Sequence, residues 1–222
     1  MQYPVRPLHC SPDGTCDWNS DTWRDIPSLT INQFHARSSD YRPHVAAKIG
    51  YTTDALCLIF RVQDRYVRSV CLNYQESVCQ DSCVELFVQP KSNHGYFNFE
   101  VNCGGTLLLY YIEDATPEAG QFKKYRKVPV EQARQIRIWT TMPKSTPIEI
   151  ADPIEWRLEM LIPRTVMEPD IGPVELTPRQ VWRANLYKCA DSSSHPHWAS
   201  WSPIGSNLSF HQPDRFGELV FE

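Results

Sequence analysis

The chain has 222 residues, of which 41% are hydrophobic and 22% charged, with a formal net charge of −4. These values fit one ordinary globular domain with a real core. The acidic balance argues against a nucleic-acid partner, which needs a basic face, and no apolar run reaches the length of a membrane span.

The chain opens with "MQYPVRPLHC", which lacks the charged head and apolar stretch of a secretory signal. The localisation therefore reads as intracellular by default, or secreted if the chain begins after processing. Residues 1–17 read as an N-terminal extension of a single domain spanning 1–222. Short runs follow in order: "HVAAKIGY", "ALCLIFRV", "CVELFVQP", "YFNFEVN", "TLLLYYIE", "QIRIWTT", "EWRLEMLIP", "VWRANLYK" and "GELVFE". Turn-forming clusters such as "PKSNHG", "NCGG" and "DATPEAG" separate them, and 18 prolines add further breaks. Many short strands with polar turns predict an all-β, antiparallel β-sandwich with long loops and little helix. Only "PRTVMEPD" suggests a short helical turn.

Alternation assigns faces to the strands. Phe97, Phe99 and Val101 point one way and Asn98, Glu100 and Asn102 the other. Trp182, Ala184 and Leu186 oppose Arg183, Asn185 and Tyr187, while Trp156, Leu158 and Met160 oppose Arg157 and Glu159. The apolar sets predict the core. The other faces are dense in amides, carboxyls and guanidinium groups, which suit a ligand with many hydroxyls.

Other chemistries have weaker signatures. The 8 cysteines include no C-x2-C pair, so structural zinc has no support from spacing. Cys57, Cys71, Cys83 and Cys103 sit in or beside apolar runs and read as reduced packing residues; in an oxidising compartment Cys10 and Cys16 could close a loop. His195, His197 and His211 lack the spacing of a zinc site, and a hydrogen-bonding or stacking role is preferred. A structural calcium ion leaves little spacing signal and stays open. Asp81, Glu85 and Glu100 could gather on neighbouring strands, which keeps a glycoside hydrolase as an alternative. Trp198 and Trp201 are candidate rings for a ligand or caps on the core.

"DSCVELFVQP", "YFNFEVNCGGTLLL", "EWRLEMLIP", "VWRANLYKCAD" and "SWSP…NLSFHQPDRFGELVF", in that order, resemble the carbohydrate-binding module family 9-like proteins, over nearly all of residues 18–222. The resemblance implies a DOMON-related β-sandwich that binds sugars without catalysis, in a family that often accompanies xylan- or cellulose-degrading enzymes. It implies that two aromatic rings clamp a terminal sugar while acids and amides hold its hydroxyls, and that calcium can be structural. Carried over, the polar positions are Asp64, Glu85, Asn98, Glu100, Asn102, Asn185 and Asn207, with Phe210 as stacking surface and Arg183 and His211 beside them. Phe210 stands where the family usually has tryptophan. The second platform, before the D-S motif, is missing and Tyr74 is nearest; Trp198 and Trp201 are the rings available to replace it. Glu100 occupies a position usually basic. The expectation is a non-catalytic carbohydrate binder, its partner a mono- or oligosaccharide or a polysaccharide end. A glycoside-acting hydrolase, an interaction module with a decayed sugar site and a haem-binding domain are the alternatives. No sequence feature sets the oligomeric state.

Overall fold

In the computed structural model, which describes residues 1–222, the predicted alternation becomes two stacked layers. In chain order the strands are β1 (Gln2–Pro7), β2 (Leu29–Thr30), β3 (Gln33–Phe34), β4 (His44–Tyr51), β5 (Ala55–Asp64), β6 (Val67–Ser69), β7 (Cys83–Gln89) and β8 (Tyr96–Asn102). They continue as β9 (Leu107–Glu118), β10 (Gln121–Lys127), β11 (Arg137–Thr140), β12 (Thr146–Ile150), β13 (Ile154–Pro163), β14 (Val181–Cys189), β15 (Trp198–Ser200) and β16 (Gly217–Phe221). One layer runs β10-β9-β8-β7-β14-β16 and the other β4-β5-β13-β11. Phe97, Phe99, Val101, Trp182 and Leu186 from the first meet Leu58, Phe60, Trp156, Leu158 and Met160 from the second in a single core. Apolar faces turned together, with water excluded between them, are what stabilises a sandwich.

The first strand departs from the antiparallel expectation. β1 lies parallel to β16 over its first residues and parallel to β4 at Arg6 and Pro7, so it stitches one layer to the other. Residues 1–17 are therefore part of the fold and not an appendage. The reason is backbone pairing: the edges of β16 and β4 carry groups that need partners. The segment that follows lids the outer face of the second layer. Trp18, Trp23 and Ile26 pack on Ala55, Cys57 and Ile59, and Glu159 accepts hydrogen bonds from Trp23 Nε1 at 2.6 Å and Gly14 N at 3.1 Å.

Local signals hold elsewhere. "PRTVMEPD" makes a 3-10 turn at Arg164–Val166 and a single α-turn at Glu168–Ile171. "NCGG" turns the chain between β8 and β9, with Gly105 at φ +85°, a conformation glycine takes without steric cost. All eight cysteines are free thiols.

Candidate functional site

The strand register brings the chemistry together. β7 pairs with β8 so that Glu85 stands opposite Glu100 and Phe87 opposite Asn98. β14 flanks β7 on its other side, setting Cys189 opposite Cys83 and Tyr187 opposite Glu85. By alternation all these side chains emerge on the outer face of the first layer. That face is not solvated. Cys83, Glu85, Phe87, Asn98, Glu100, Asn185, Tyr187 and Cys189 are all buried, because the 3-10 turn Val78–Gln80 and the closing loop 204–216 fold over them. Between these covers a cavity of about 340 Å³ is left, with Glu85 and Glu100 in its lining, beside Cys79, Phe87, Cys189, Asp191, Trp198 and the Leu208–His211 stretch.

Each wall is held by a specific contact. Phe210 stacks on Tyr187 with ring centroids 4.0 Å apart and planes 11° from parallel, and the Tyr187 hydroxyl donates to the Phe210 carbonyl at 2.9 Å. His211 Nδ1 pairs with the Tyr96 hydroxyl at 2.8 Å, and the imidazole sits against Phe87 and Phe122. Trp198 donates its indole N–H to Asp191 Oδ1 at 2.7 Å. Asn98 donates to Glu100 Oε1 at 2.7 Å and accepts from the Tyr110 amide. The Cys189 thiol donates to Glu85 Oε1 at 3.1 Å, while Glu85 Oε2 is buried without a partner.

Burial sets the electrostatics. Loss of water, then the neighbouring Glu100, holds the Glu85 carboxyl well above the usual carboxylate range. Glu100 is raised to about 7, first by burial, with the Asn98 hydrogen bond opposing. Asp191 belongs to an exposed residue at the rim, yet its carboxyl turns toward the cavity wall and is also raised by desolvation. Burial lowers His211 to about 4, so its ring is neutral. No lysine or arginine lines the cavity. It offers carboxyls that burial makes harder to ionise, a neutral imidazole and aromatic walls. A protonated carboxyl donates and accepts at once, as a ligand hydroxyl does; nothing here neutralises a phosphate or a carboxylate ligand.

Of the residues singled out from the sequence, Glu85, Glu100, Trp198, Phe210 and His211 line this cavity and Asn98 supports it. The others lie elsewhere, each for a visible reason. Trp201 is in the core, packed so closely on Gly217 that a Cβ there would meet its ring at 2.7 Å. Asp64 is buried under Trp156 Nε1 (3.1 Å), the Tyr41 hydroxyl (3.1 Å) and Lys188 Nζ (3.5 Å). Asn185 clamps backbone, accepting from Leu186 N and Ser202 N and donating to Ser202 O. Asn102 and Asp81 form one buried knot. Asp81 Oδ2 accepts from Val70 N, Cys71 N and Asn102 Nδ2, each at 2.9 Å, which takes Asp81 out of the proposed acid cluster. Arg183 donates to the carbonyls of Asp214 and Phe216. Asn207 is exposed and lines a neighbouring polar groove that shares Ser209 and His211 with the cavity. Tyr74 donates to the Val128 carbonyl at 2.7 Å, away from the site. His197 spends both ring nitrogens, on Lys188 Nζ (2.8 Å) and the His195 carbonyl (2.9 Å), and His195 stacks on Tyr66 at 3.6 Å.

Asp191, Cys189, Cys79 and Phe87 were not anticipated. Extending the alternation of "VWRANLYK" by one step would have reached Cys189, and alternation along "CVELF" places Cys83 and Phe87 with Glu85. The rim position of Asp191 has no local signal. The single group of three or more metal-type ligands within 4.8 Å of one another is Cys83, Glu85 and Cys189. Two sulfurs and one carboxylate do not fit calcium, which takes about six to eight oxygens.

Residues 22–221 match carbohydrate-binding family 9. No protein of curated function matches the sequence. Among solved structures, the chain resembles a candidate carbohydrate-binding protein from Bacteroides uniformis ATCC 8492, with a TM-score of 0.87 and 28% identity over 100% of this chain and 99% of that one. It also shares its fold with a carbohydrate-binding module of family 9 from Caldicellulosiruptor kristjanssonii in complex with cellotriose, with a TM-score of 0.67 and 14% identity, covering 100% of this chain and 94% of the other. The glucose complex of the module gives the same TM-score and identity, with 96% of that chain covered.

Proposed function

The chain belongs to carbohydrate-binding family 9, and from that premise we propose that it is a non-catalytic binder of a mono- or oligosaccharide or of a polysaccharide end, serving polysaccharide utilisation. The observation that carries this is the cavity on the outer sheet face, with the Glu85–Glu100 pair in its lining and Trp198 and Phe210 among its walls. Aromatic faces take the C–H surface of a sugar ring and polar groups fix its hydroxyls. A volume of about 340 Å³ is at the lower end for ligand sites, about 300–1,000 Å³, which suits one or two rings entering end-on. Glu85 and Glu100 rise side by side from adjacent strands of one wall, an arrangement that supports gripping a ring more than flanking a bond for hydrolysis.

Calorimetric titration with glucose, xylose and cello- and xylo-oligosaccharides tests the reading. Binding at millimolar dissociation constants or tighter is expected. Phe210→Ala and Trp198→Ala should each weaken it about five- to tenfold, from an aromatic contribution of about 1–1.5 kcal/mol. If no sugar binds, or if both variants bind as tightly as the parent, the proposal fails.

A further inference from the structure

We propose that Cys83, Glu85 and Cys189 form a binding site for a soft divalent cation of the zinc class, lying beneath the cavity with one coordination position open toward it. The strand register makes the site. Cys83 and Cys189 are direct partners across β7 and β14, and Glu85 follows Cys83 by two residues on the same face. One ligand atom from each residue lies within 4.8 Å of the other two. Ligands of a tetrahedral zinc stand roughly 3.5–3.8 Å apart, given bonds of about 2.0–2.3 Å. Adjustments of about 1 Å, within rotamer reach, would close the site.

Three independent observations point to an ion there. Glu85 Oε2 is a buried oxygen with no hydrogen-bond partner on a residue only 1% exposed, and such a group is costly unless something binds it. The Cys189 thiol already points at Glu85 Oε1 from 3.1 Å, so a cation replacing that proton finds both ligands in place. Glu85 and Cys189 line the cavity, which gives the ion an entry path and an open fourth position for water or a ligand hydroxyl. Binding releases the thiol protons of Cys83 and Cys189, together with the Glu85 proton, to solvent, and leaves two thiolates and a carboxylate on the metal. Thiolate softness selects zinc, cadmium or cobalt over calcium and magnesium. This site does not depend on sugar binding, and metal alone is the probe.

The test uses the full chain, kept reduced, loaded with Zn²⁺ or Co²⁺ and desalted. About one metal per chain is expected by elemental analysis, with a thiolate-to-cobalt charge-transfer band in the near ultraviolet. Cys83→Ala and Cys189→Ala should each lower affinity at least a hundredfold and abolish the band. Glu85→Gln should weaken binding at least tenfold, and Cys57→Ala, in the opposite layer, should retain it. Absence of metal from the reduced parent chain overturns the proposal whether or not any variant folds. So does retention of metal and band in the folded Cys83→Ala and Cys189→Ala proteins, or displacement of zinc by equimolar calcium.

Discussion

Glu100 carries the sharpest prediction. Its carboxyl is buried opposite Glu85 and raised from the usual 4.5 to about 7, mainly by lost hydration. That difference disfavours the ionised form by about 3 kcal/mol. The folded protein holds this proton more tightly than the unfolded chain does. The contribution is therefore full below pH 4.5 and is lost as pH rises toward and through 7. Glu100→Gln keeps an acceptor for Asn98 Nδ2, supplies an amide donor beside Glu85 and has nothing to ionise. At pH 4.5 the variant should match the parent within about 1 kcal/mol; at pH 8 it should be more stable by up to about 3 kcal/mol, roughly 6–12 °C in Tm for a domain of this size. The parent's own pH profile is not the observable. Burial lowers His211 to about 4 and His197 to about 2, and groups with lowered histidine values stabilise in the opposite direction as pH rises. Subtracting the variant's profile from the parent's cancels them and leaves Glu100 together with its effect on Glu85, whose carboxyl it raises, so that both contributions favour the variant as pH rises. Urea denaturation between pH 4.5 and 8 gives the difference; a gap that does not change with pH, or that favours the parent as pH rises, refutes the reasoning.

Three further outcomes follow from the packing. Trp201→Ala should cost about 3–5 kcal/mol by emptying a core position, with sugar titration of the folded protein unchanged, whereas Trp198→Ala should do the reverse. Asn185→Ala should cost about 2–3 kcal/mol in denaturant unfolding, because two buried backbone amides, Leu186 N and Ser202 N, lose their acceptor. Lys188→Met strands the buried Asp64 carboxylate and should cost about 3–5 kcal/mol. Combined with Asp64→Asn, which keeps an acceptor for Trp156 and Tyr41, it should cost less than the two single losses added together; simple additivity in a double-mutant cycle would show the pair to be uncoupled.

The period-two alternation of "YFNFEVN", "EWRLEML" and "VWRANLYK" was enough to specify the layers. It put Phe97, Phe99, Trp156 and Trp182 in the core, where they lie, because a strand's side chains leave opposite faces regardless of what surrounds it. The ordered motifs likewise identified the family. Alternation does not say what covers a face. The polar face of β8 is buried because a 3-10 turn and the closing loop fold over it from distant parts of the chain. Asn102 and Asn185 thus became internal hydrogen-bonding groups, and Glu85 and Glu100 became wall residues with raised pKa values. Trp198 and Trp201 show the same division. A spacing of three along an extended segment sends them to opposite faces, so sequence alone implies one inside and one outside. Which is which depended on β15 pairing Trp198 with Cys189 on β14. Cys189, Asp191 and the closing loop meet Glu85 only in three dimensions, since nothing in a strand's local period encodes the register of its neighbour.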